Sequence, residues 1–337
     1  MKKVSVIIPC YNATKWLPQC FLTLVGQSIG VSDIELIFVD DASTDDGATW
    51  SMLSEFEKAY PENIMIIHLE HNMRQGGARN VALSYATGEY ISFVDADDFV
   101  SKDFLEKVYA RAKETDADIV QFEYDYYAEN IGTLPSKRQG YDEKIEIYSE
   151  VQRKNFLVSE KITYGCWNKI YRRNFIESAG ARYAEHVIYE EPLFVYPLLF
   201  YGNRYVTMRE KFYFYRQNKN GTMHSDMKHS DTLSMHMQVQ LEVWRFMKQT
   251  QFFYVFYEEI KLYFLHTYFY ETLYFAKRRG FVVTMELYNK IFGVIKREVP
   301  DYDLSAYEKM IPKQMELYRM AKSGMTSDRL NEFMNKL

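Results

Sequence analysis

Cysteine is scarce in this chain: Cys10, Cys20 and Cys166 are its three, scattered and odd in number. They supply no CxxC pair, no Cys/His spacing of a zinc site and no disulfide framework, which points to a reducing, intracellular location. No stretch approaches ~18 uninterrupted apolar residues, so no membrane-spanning helix is expected. The apolar run after Met1-Lys2-Lys3 is too short for a secretory signal. Basic excess is missing as well: the formal net charge is −5, and a nucleic-acid partner, which needs a basic face, is not expected. A glycine-rich phosphate loop is absent where a dinucleotide fold requires GxGxxG; Pro9-Cys10-Tyr11-Asn12 stands there instead, and there is no P-loop.

What is present fits a globular protein, with 26% charged and 47% hydrophobic residues among 337, enough for two domains or one large domain with an appendage. The unusual figure is 17% aromatic, with 29 Tyr and 23 Phe, many of them in the last third.

Four short apolar runs, Val4–Ile8, Ile34–Val39, Ile64–Leu69 and Tyr90–Val94, are rich in β-branched residues and apolar on both faces, as parallel strands covered on both sides are. Between them Trp16–Gln27, Ala48–Tyr60 and Ala78–Ala86 have helical spacing, and Ala78, Val81, Ala82 and Tyr85 share a face. This alternation predicts a doubly wound α/β sheet with right-handed crossovers. A helix over Asp103–Lys113 and a strand over Ile119–Tyr124 follow; residues 125–150 read as a loop or irregular ribbon, and the chain is almost wholly helical from about 228.

The polar residues fall at strand ends. Pro9-Cys10-Tyr11-Asn12 follows the first strand, Asp40-Asp41 the second and Asp95-Ala96-Asp97-Asp98 the fourth. Open α/β sheets bind ligands outside the carboxyl ends of their strands, so these turns are expected to converge. Asp95-Ala96-Asp97 offers the hard oxygen donors that Mg2+ or Mn2+ takes when bridging carboxylates to phosphates, although Asp is also common in turns for local reasons. Asp41 can accept a hydrogen bond from a nucleobase imide N–H with Asp40 in support, while Ser43 or Asp45 can cap the helix at Ala48. Gly76-Gly77-Ala78-Arg79-Asn80 opens a helix, whose N-terminus favours anions, and Arg79 can reach a phosphate or base. Glu190-Glu191 precedes an apolar helix, where it serves the helix dipole or supplies a general base. His224 lies in a polar, glycine-containing stretch, as a further metal ligand, part of a lid, or a plain surface histidine.

Taken together, VSVIIPCYNATKWLPQC, ELIFVDDASTDDG and NMRQGGARNVALSYATGEYISFVDADD resemble glycosyltransferase family 2, of the GT-A fold. The likeness covers about the first hundred residues, with ordered motifs at the right spacing. The block Trp167-Asn168-Lys169-Ile170-Tyr171-Arg172-Arg173 and the Glu190-Glu191 segment also resemble the acceptor half of bacterial members that build surface polysaccharides. The resemblance implies a mostly parallel GT-A sheet flanked by helices with a C-terminal helical extension. Residues 1–100 would form the nucleotide-sugar-binding half, 101–227 the acceptor-binding half and 228–337 the helical region.

It also implies an inverting, metal-dependent hexosyl- or N-acetylhexosaminyltransferase using a UDP-sugar, Mn2+ or Mg2+, and a saccharide or lipid-linked oligosaccharide acceptor. Pro9, Tyr11, Asn12, Asp41, Arg79, Asp95 and Ala96 would bind nucleotide, Tyr11 packing on the base. Asp97 would be the principal metal ligand and Asp95 would lie at the ribose or metal shell, with His224, read above from its loop, the further candidate ligand. The family usually reads Glu-Asp where this chain has Glu190-Glu191; the choice of base stays open, with Glu191 favoured. That departure leaves a second reading, a catalytically silent nucleotide-sugar-binding or scaffold member. A nucleotidyltransferase would release pyrophosphate where this reading expects UDP. The protein is expected in the cytoplasm, at the inner face of the membrane if the acceptor is lipid-linked. The aromatic residues 228–300 suggest an oligomer or partner contact, peripheral docking through Lys277-Arg278-Arg279, or an ordinary helical core.

Overall fold

The computed structural model describes residues 2–136, 140–218, 230–300, 307 and 312–337. The chain divides into two compact units, Met1–His224 and Ser225–Leu337.

The first unit is built on one sheet. Its strands are β1 (Val4–Cys10), β2 (Ile34–Asp40), β3 (Ile64–His68), β4 (Tyr90–Phe93), β5 (Phe99–Val100), β6 (Ile119–Ala128), β7 (Gly132–Leu134), β8 (Glu143–Glu146), β9 (Lys169–Arg172) and β10 (Arg204–Arg216). Its helices are α1 (Leu17–Val25), α2 (Ala48–Ala59), α3 (Arg74–Leu83), α4 (Phe104–Thr115), α5 (Glu150–Leu157), α6 (Arg173–Ala179) and α7 (Glu191–Tyr201). The sheet order is β3-β2-β1-β4-β9-β6-β10-β5, with β7 beside β6 and β8 beside β10. β1 pairs in parallel with β2 and β4, and β2 with β3; β9 runs antiparallel to β4 and β6, and β6 and β10 are again parallel. Because β1 lies between β2 and β4, the order reverses there, and the crevice opens at such a reversal.

Strand alternation divides the core. Val4, Val6 and Ile8 of β1, with Leu36 and Phe38 of β2, join the cluster that holds Leu17, Phe21 and Leu24 of α1 and Leu53 of α2. These α1 residues recur at i, i+4 and i+7, one apolar stripe, and Phe21 stacks on Phe56 of α2 at 3.7 Å between ring centres. On the other face Phe93 packs edge-on against Phe194 of α7 and Tyr183.

Helix α3 differs from its predicted form. It begins at Arg74, so Gly76 and Gly77 lie inside its first turns, and its buried side holds Gly76, Gly77, Ala78, Arg79 and Ala82 while Tyr85 is exposed. The reason is close packing: a Cβ on Gly76 would lie 2.1 Å from the Ala184 carbonyl oxygen and 3.0 Å from Cγ of Glu190. Within the stretch expected as a loop or irregular ribbon, β6 extends to Ala128 and pairs with β7, while β8 pairs with β10.

The second unit is helical: α8 (Ser230–Lys248), α9 (Phe252–Val255), α10 (Tyr257–Phe264), a π-helical segment Leu265–Glu271, α11 (Thr272–Arg278), α12 (Met285–Glu298), α13 (Pro312–Lys322) and α14 (Ser327–Lys336). Many of its aromatic residues fill its own core. Trp244 stacks on Phe264, and Phe269 meets Tyr288, Phe292, Tyr318 and Phe333. Tyr254, 87% exposed, and Tyr274 remain outside. Among the described residues no helix is long and apolar enough to cross a membrane.

Two glycine substitutions give opposite expected results. Gly76→Ala gains about 1 kcal/mol of helix propensity but meets fixed backbone at 2.1 Å, and overpacking of this kind costs about 1–3 kcal/mol; the melting temperature falls. At Gly293, exposed within α12, a Cβ would meet nothing within 4 Å. Gly293→Ala should therefore stabilise by about 0.5–1 kcal/mol. Thermal unfolding of the two variants checks both signs.

Candidate active site

Three strand ends meet as expected. After buried Pro9 and Cys10, Tyr11 stands 48% exposed and Asn12 takes a left-handed conformation (φ 49°). Asn12 stitches this turn to the next: its N–H donates to Ser43 Oγ at 2.9 Å, and its Oδ1 accepts from the Thr44 N–H at 2.8 Å. The Tyr11 hydroxyl lies 3.4 Å from Thr44 Oγ1. Ser43 is thereby used in the crevice, and Asp45 serves α2, accepting from the Thr49 N–H at 3.1 Å.

The two aspartates after β2 have separate tasks. Asp40 Oδ1 accepts from the Ser43 N–H at 3.2 Å and Oδ2 lies 2.9 Å from His68 Nδ1, so Asp40 shapes the turn. Asp41 Oδ1 accepts from the Met73 N–H at 2.7 Å, just before α3. Burial pushes the Asp41 carboxyl up to about 6; the N–H groups of Met73 and Arg74 pull it down, and Asp40 adds to the rise.

Around β4 the carboxylates crowd. Asp95 Oδ1 accepts from Arg79 Nη2 at 2.7 Å. Asp98 is buried, accepting from the Tyr213 hydroxyl at 2.6 Å and from the Arg216 N–H at 2.7 Å. Arg216 Nε donates to the Asp97 carbonyl at 2.6 Å, and the Asp97 carboxylate has one long contact, 3.4 Å from Asn218 Nδ2. Ala96 is buried between them. Burial, and then Asp95, raise the Asp97 pKa; burial with Asp97 and Asp95 raises that of Asp98 further. Asp98 is thus spent on β10, while the Asp97 carboxylate has little hydrogen bonding among the described residues. Among the described residues no group of three or more His, Cys, Asp or Glu forms a metal cage. Hard oxygen donors from one or two carboxylates nevertheless fit Mg2+ or Mn2+, which take their other ligands from phosphate and water.

Ahead of α7 the backbone is again left-handed, at His186 (φ 60°) and Tyr189 (φ 65°). Such conformations in non-glycine residues cluster at functional sites. Glu190 is buried and ion-paired with Arg79 Nη1. Glu191, the first residue of α7, is half-buried, and its carboxylate makes no hydrogen bond among the described residues. Burial and then Glu190 raise its pKa, against the pull of Arg79 and Lys169.

Arg79, expected near the nucleotide, is directed into the protein. Its guanidinium is 1% exposed and is taken up by Asp95 and Glu190. Alanines at 78 and 82 flank it on the buried side of α3, so the helix turns it inward. Pro9, Tyr11, Asn12, Asp41, Asp95, Ala96, Asp97, Glu190 and Glu191 all lie at strand or helix ends of the first unit, whereas His224 falls outside the described residues. Tyr213 and Arg216, which anchor the acidic turn, carry no mark in the sequence: they sit 115 and 118 residues from Asp98, with no local motif around them.

Residues 5–180 match the family model described as Glycosyl transferase family 2. The chain is 40% identical over 118 residues to a poly(ribitol-phosphate) beta-glucosyltransferase of Bacillus spizizenii, covering 35% of this chain and 18% of that one. It is 28% identical over 224 residues to the poly(ribitol-phosphate) beta-N-acetylglucosaminyltransferase TarS of Staphylococcus aureus, covering 66% and 36%. It therefore spans well under half the length of these curated relatives. The crystal structure of S. aureus TarS 1-349 in complex with UDP-GlcNAc superposes with a TM-score of 0.74 at 21% identity, over 99% of this chain and 90% of that one. The architecture is thus the GT-A fold, a mostly parallel sheet flanked by helices with further helices at the C-terminal end.

Asp41 offers a pH test. Its folded-state pKa lies above the ordinary 3.8, so the native state binds this proton more tightly than the unfolded chain does. The group's contribution is therefore favourable below ordinary carboxylate pKa values and is lost as pH rises through about 6. Asp41→Asn, which keeps an acceptor for the Met73 N–H, should raise the melting temperature at pH 7.5 by roughly 2–5 °C. The gain should shrink at pH 4.5, and calorimetric scans at the two pH values check it.

Proposed function

Since the chain belongs to glycosyl transferase family 2, we propose that it moves a sugar from a UDP-sugar to an acceptor hydroxyl, with inversion, in surface polysaccharide or glycolipid assembly. One observation carries this reading: a free half-buried carboxylate, Glu191, shares a buried charge network with the acidic turn Asp95–Asp97. Residues 1–100 would then supply the donor half and 101–227 the acceptor half.

In this reading Tyr11 offers its exposed ring to the uracil, and the Asp41 carboxylate, which also takes the Met73 N–H, accepts the imide N–H. Asn12 and Thr44 fix the loop that carries Tyr11. Asp97, with Asp95 beside it, would hold Mn2+ or Mg2+, which when bound supplies positive charge against the diphosphate. The acceptor hydroxyl donates toward Glu191, which takes its proton as the acceptor oxygen bonds to the anomeric carbon. The bond from that carbon to the diphosphate oxygen breaks, its electron pair leaving with UDP. Proton transfer to a positioned base contributes about 10²–10⁴-fold, and holding donor and acceptor in line contributes much of the remainder. This reading gives the role to Glu191 and not to Glu190, whose Oε1 is ion-paired with Arg79. The similarity to relatives named as glycosyltransferases favours this reading over a silent member.

The test is release of UDP from a panel of UDP-sugars, UDP-GlcNAc included, by purified protein with Mn2+. Glu191→Gln should cut turnover by about 10²–10⁴-fold while UDP binding, followed by calorimetry, stays within about threefold. Asp97→Asn should lose turnover and metal-dependent UDP affinity together. The acid limb of the kcat–pH profile should lie above the ordinary glutamate range, in keeping with the raised pKa of Glu191. An unmodified protein that binds no UDP in the presence of Mn2+ would sink the reading.

A further inference from the structure

Arg79 carries its charge almost wholly out of water. One terminal nitrogen donates to Asp95 Oδ1 at 2.7 Å and the other to Glu190 Oε1, and the guanidinium carbon lies 5.3 Å from the centre of the Tyr183 ring. These partners belong to two segments: Asp95 to the acidic turn after β4, and Tyr183 and Glu190 to the start and end of the connection from α6 to α7. A planar fork between two carboxylates fixes the direction of both. Removing either partner leaves an uncompensated buried charge.

The helix that carries Arg79 is fixed along its length. Asp41 takes the Met73 N–H at its start, and the Met73 carbonyl accepts from the His186 N–H at 3.2 Å. Further along, Asn80 clasps the Tyr183 peptide from both sides, Nδ2 donating to its carbonyl at 3.0 Å and Oδ1 accepting from its N–H at 2.9 Å. Gly76 permits the approach to Ala184 and Glu190. One helix thus runs from the carboxylate assigned to the nucleobase to the loop that presents the base.

We infer that Arg79 is a positioning residue and not a nucleotide contact: acting through Glu190, it sets the orientation of Glu191 relative to the donor-side carboxylate Asp95. Glu190 spends its carboxylate on the guanidinium, and its neighbour is left free for the acceptor. The inference rests on the transferase reading above.

The test compares Arg79→Lys, which keeps the charge but reaches one carboxylate at a time, with Glu190→Gln and the double variant. UDP release from UDP-GlcNAc, or from whichever UDP-sugar the unmodified protein hydrolyses, is measured beside UDP calorimetry, and thermal unfolding gives the folded fraction. Each single variant should lose about 10–100-fold in kcat, with the UDP Kd moved by less than about threefold. The double variant should be no slower than the slower single within about threefold, because the two residues act as one unit. Weakened UDP binding of about tenfold or more with kcat kept, or losses that multiply in the double variant, would overturn the inference. If Arg79→Lys does not fold, Glu190→Gln alone decides: lost kcat with UDP affinity intact supports it, and unchanged kcat refutes it. An unmodified protein that neither binds UDP nor releases it overturns the transferase reading and this inference together, an outcome distinct from the others.

Discussion

Parallel pairing of β1 with both β2 and β4 brings three chain reversals to one edge of the sheet, and the crevice inherits its geometry from that register. A parallel strand must leave the sheet at its carboxyl end before crossing back over a helix, so its polar turn is delivered to the same edge each time. Tyr11 and Asn12 follow β1, Asp41 follows β2 and Asp95 follows β4 within two residues. The left-handed residues Asn12, Ala42 and Arg74 lie at or near the same edge. Hydrogen bonds between the turns, from Asn12 to Ser43 and Thr44 and from Met73 to Asp41, give them a fixed shape that side-chain packing alone would not.

Electrostatics then sorts the carboxylates. Five acidic groups gather there: Asp95 adds to the raised pKa of Asp97, Asp98 and Glu191, and Glu190 adds to that of Glu191. Such a cluster is tolerable in a folded protein only if most members find a partner. Asp98 is tied to Tyr213 and the Arg216 backbone, while Asp95 and Glu190 share Arg79. Among the described residues, Asp97 and Glu191 are left with little or no hydrogen bonding. They are the two groups that the proposed chemistry uses, one toward a metal and one toward a proton. The network distinguishes the neighbouring glutamates by occupation, a distinction that their chemical identity could not supply.

The second unit illustrates a different use of aromatic residues. Helices that are apolar around much of their circumference need bulk between them, and the rings of Trp244, Phe264, Tyr268 and Phe269 supply it with edge-on and stacked contacts. The high Tyr and Phe content therefore goes largely into a core, the plainest of the expectations for residues 228–300.

Much of the fold was legible beforehand because parallel strands and amphipathic helices leave periodic marks. Val4–Cys10, Ile34–Asp40, Ile64–His68 and Tyr90–Phe93 are strands where their β-branched apolar runs lie, and the polar turns after them marked the edge of the crevice. The sequence by itself determined this alternation, and through it the sheet, since burial on both faces demands continuous apolar strands; the family resemblance came from its ordered motifs. Only the tertiary structure decided what each polar group touches. Arg79 reads as a phosphate ligand at a helix start, yet α3 begins earlier and turns it inward to two carboxylates, one of them 111 residues away. Tyr213 and Arg216 reach the acidic turn from the far half of the sheet. Hydrogen bonds and ion pairs between distant segments carry no period along the chain, because they are fixed by how the elements pack and not by the order of residues within any one of them.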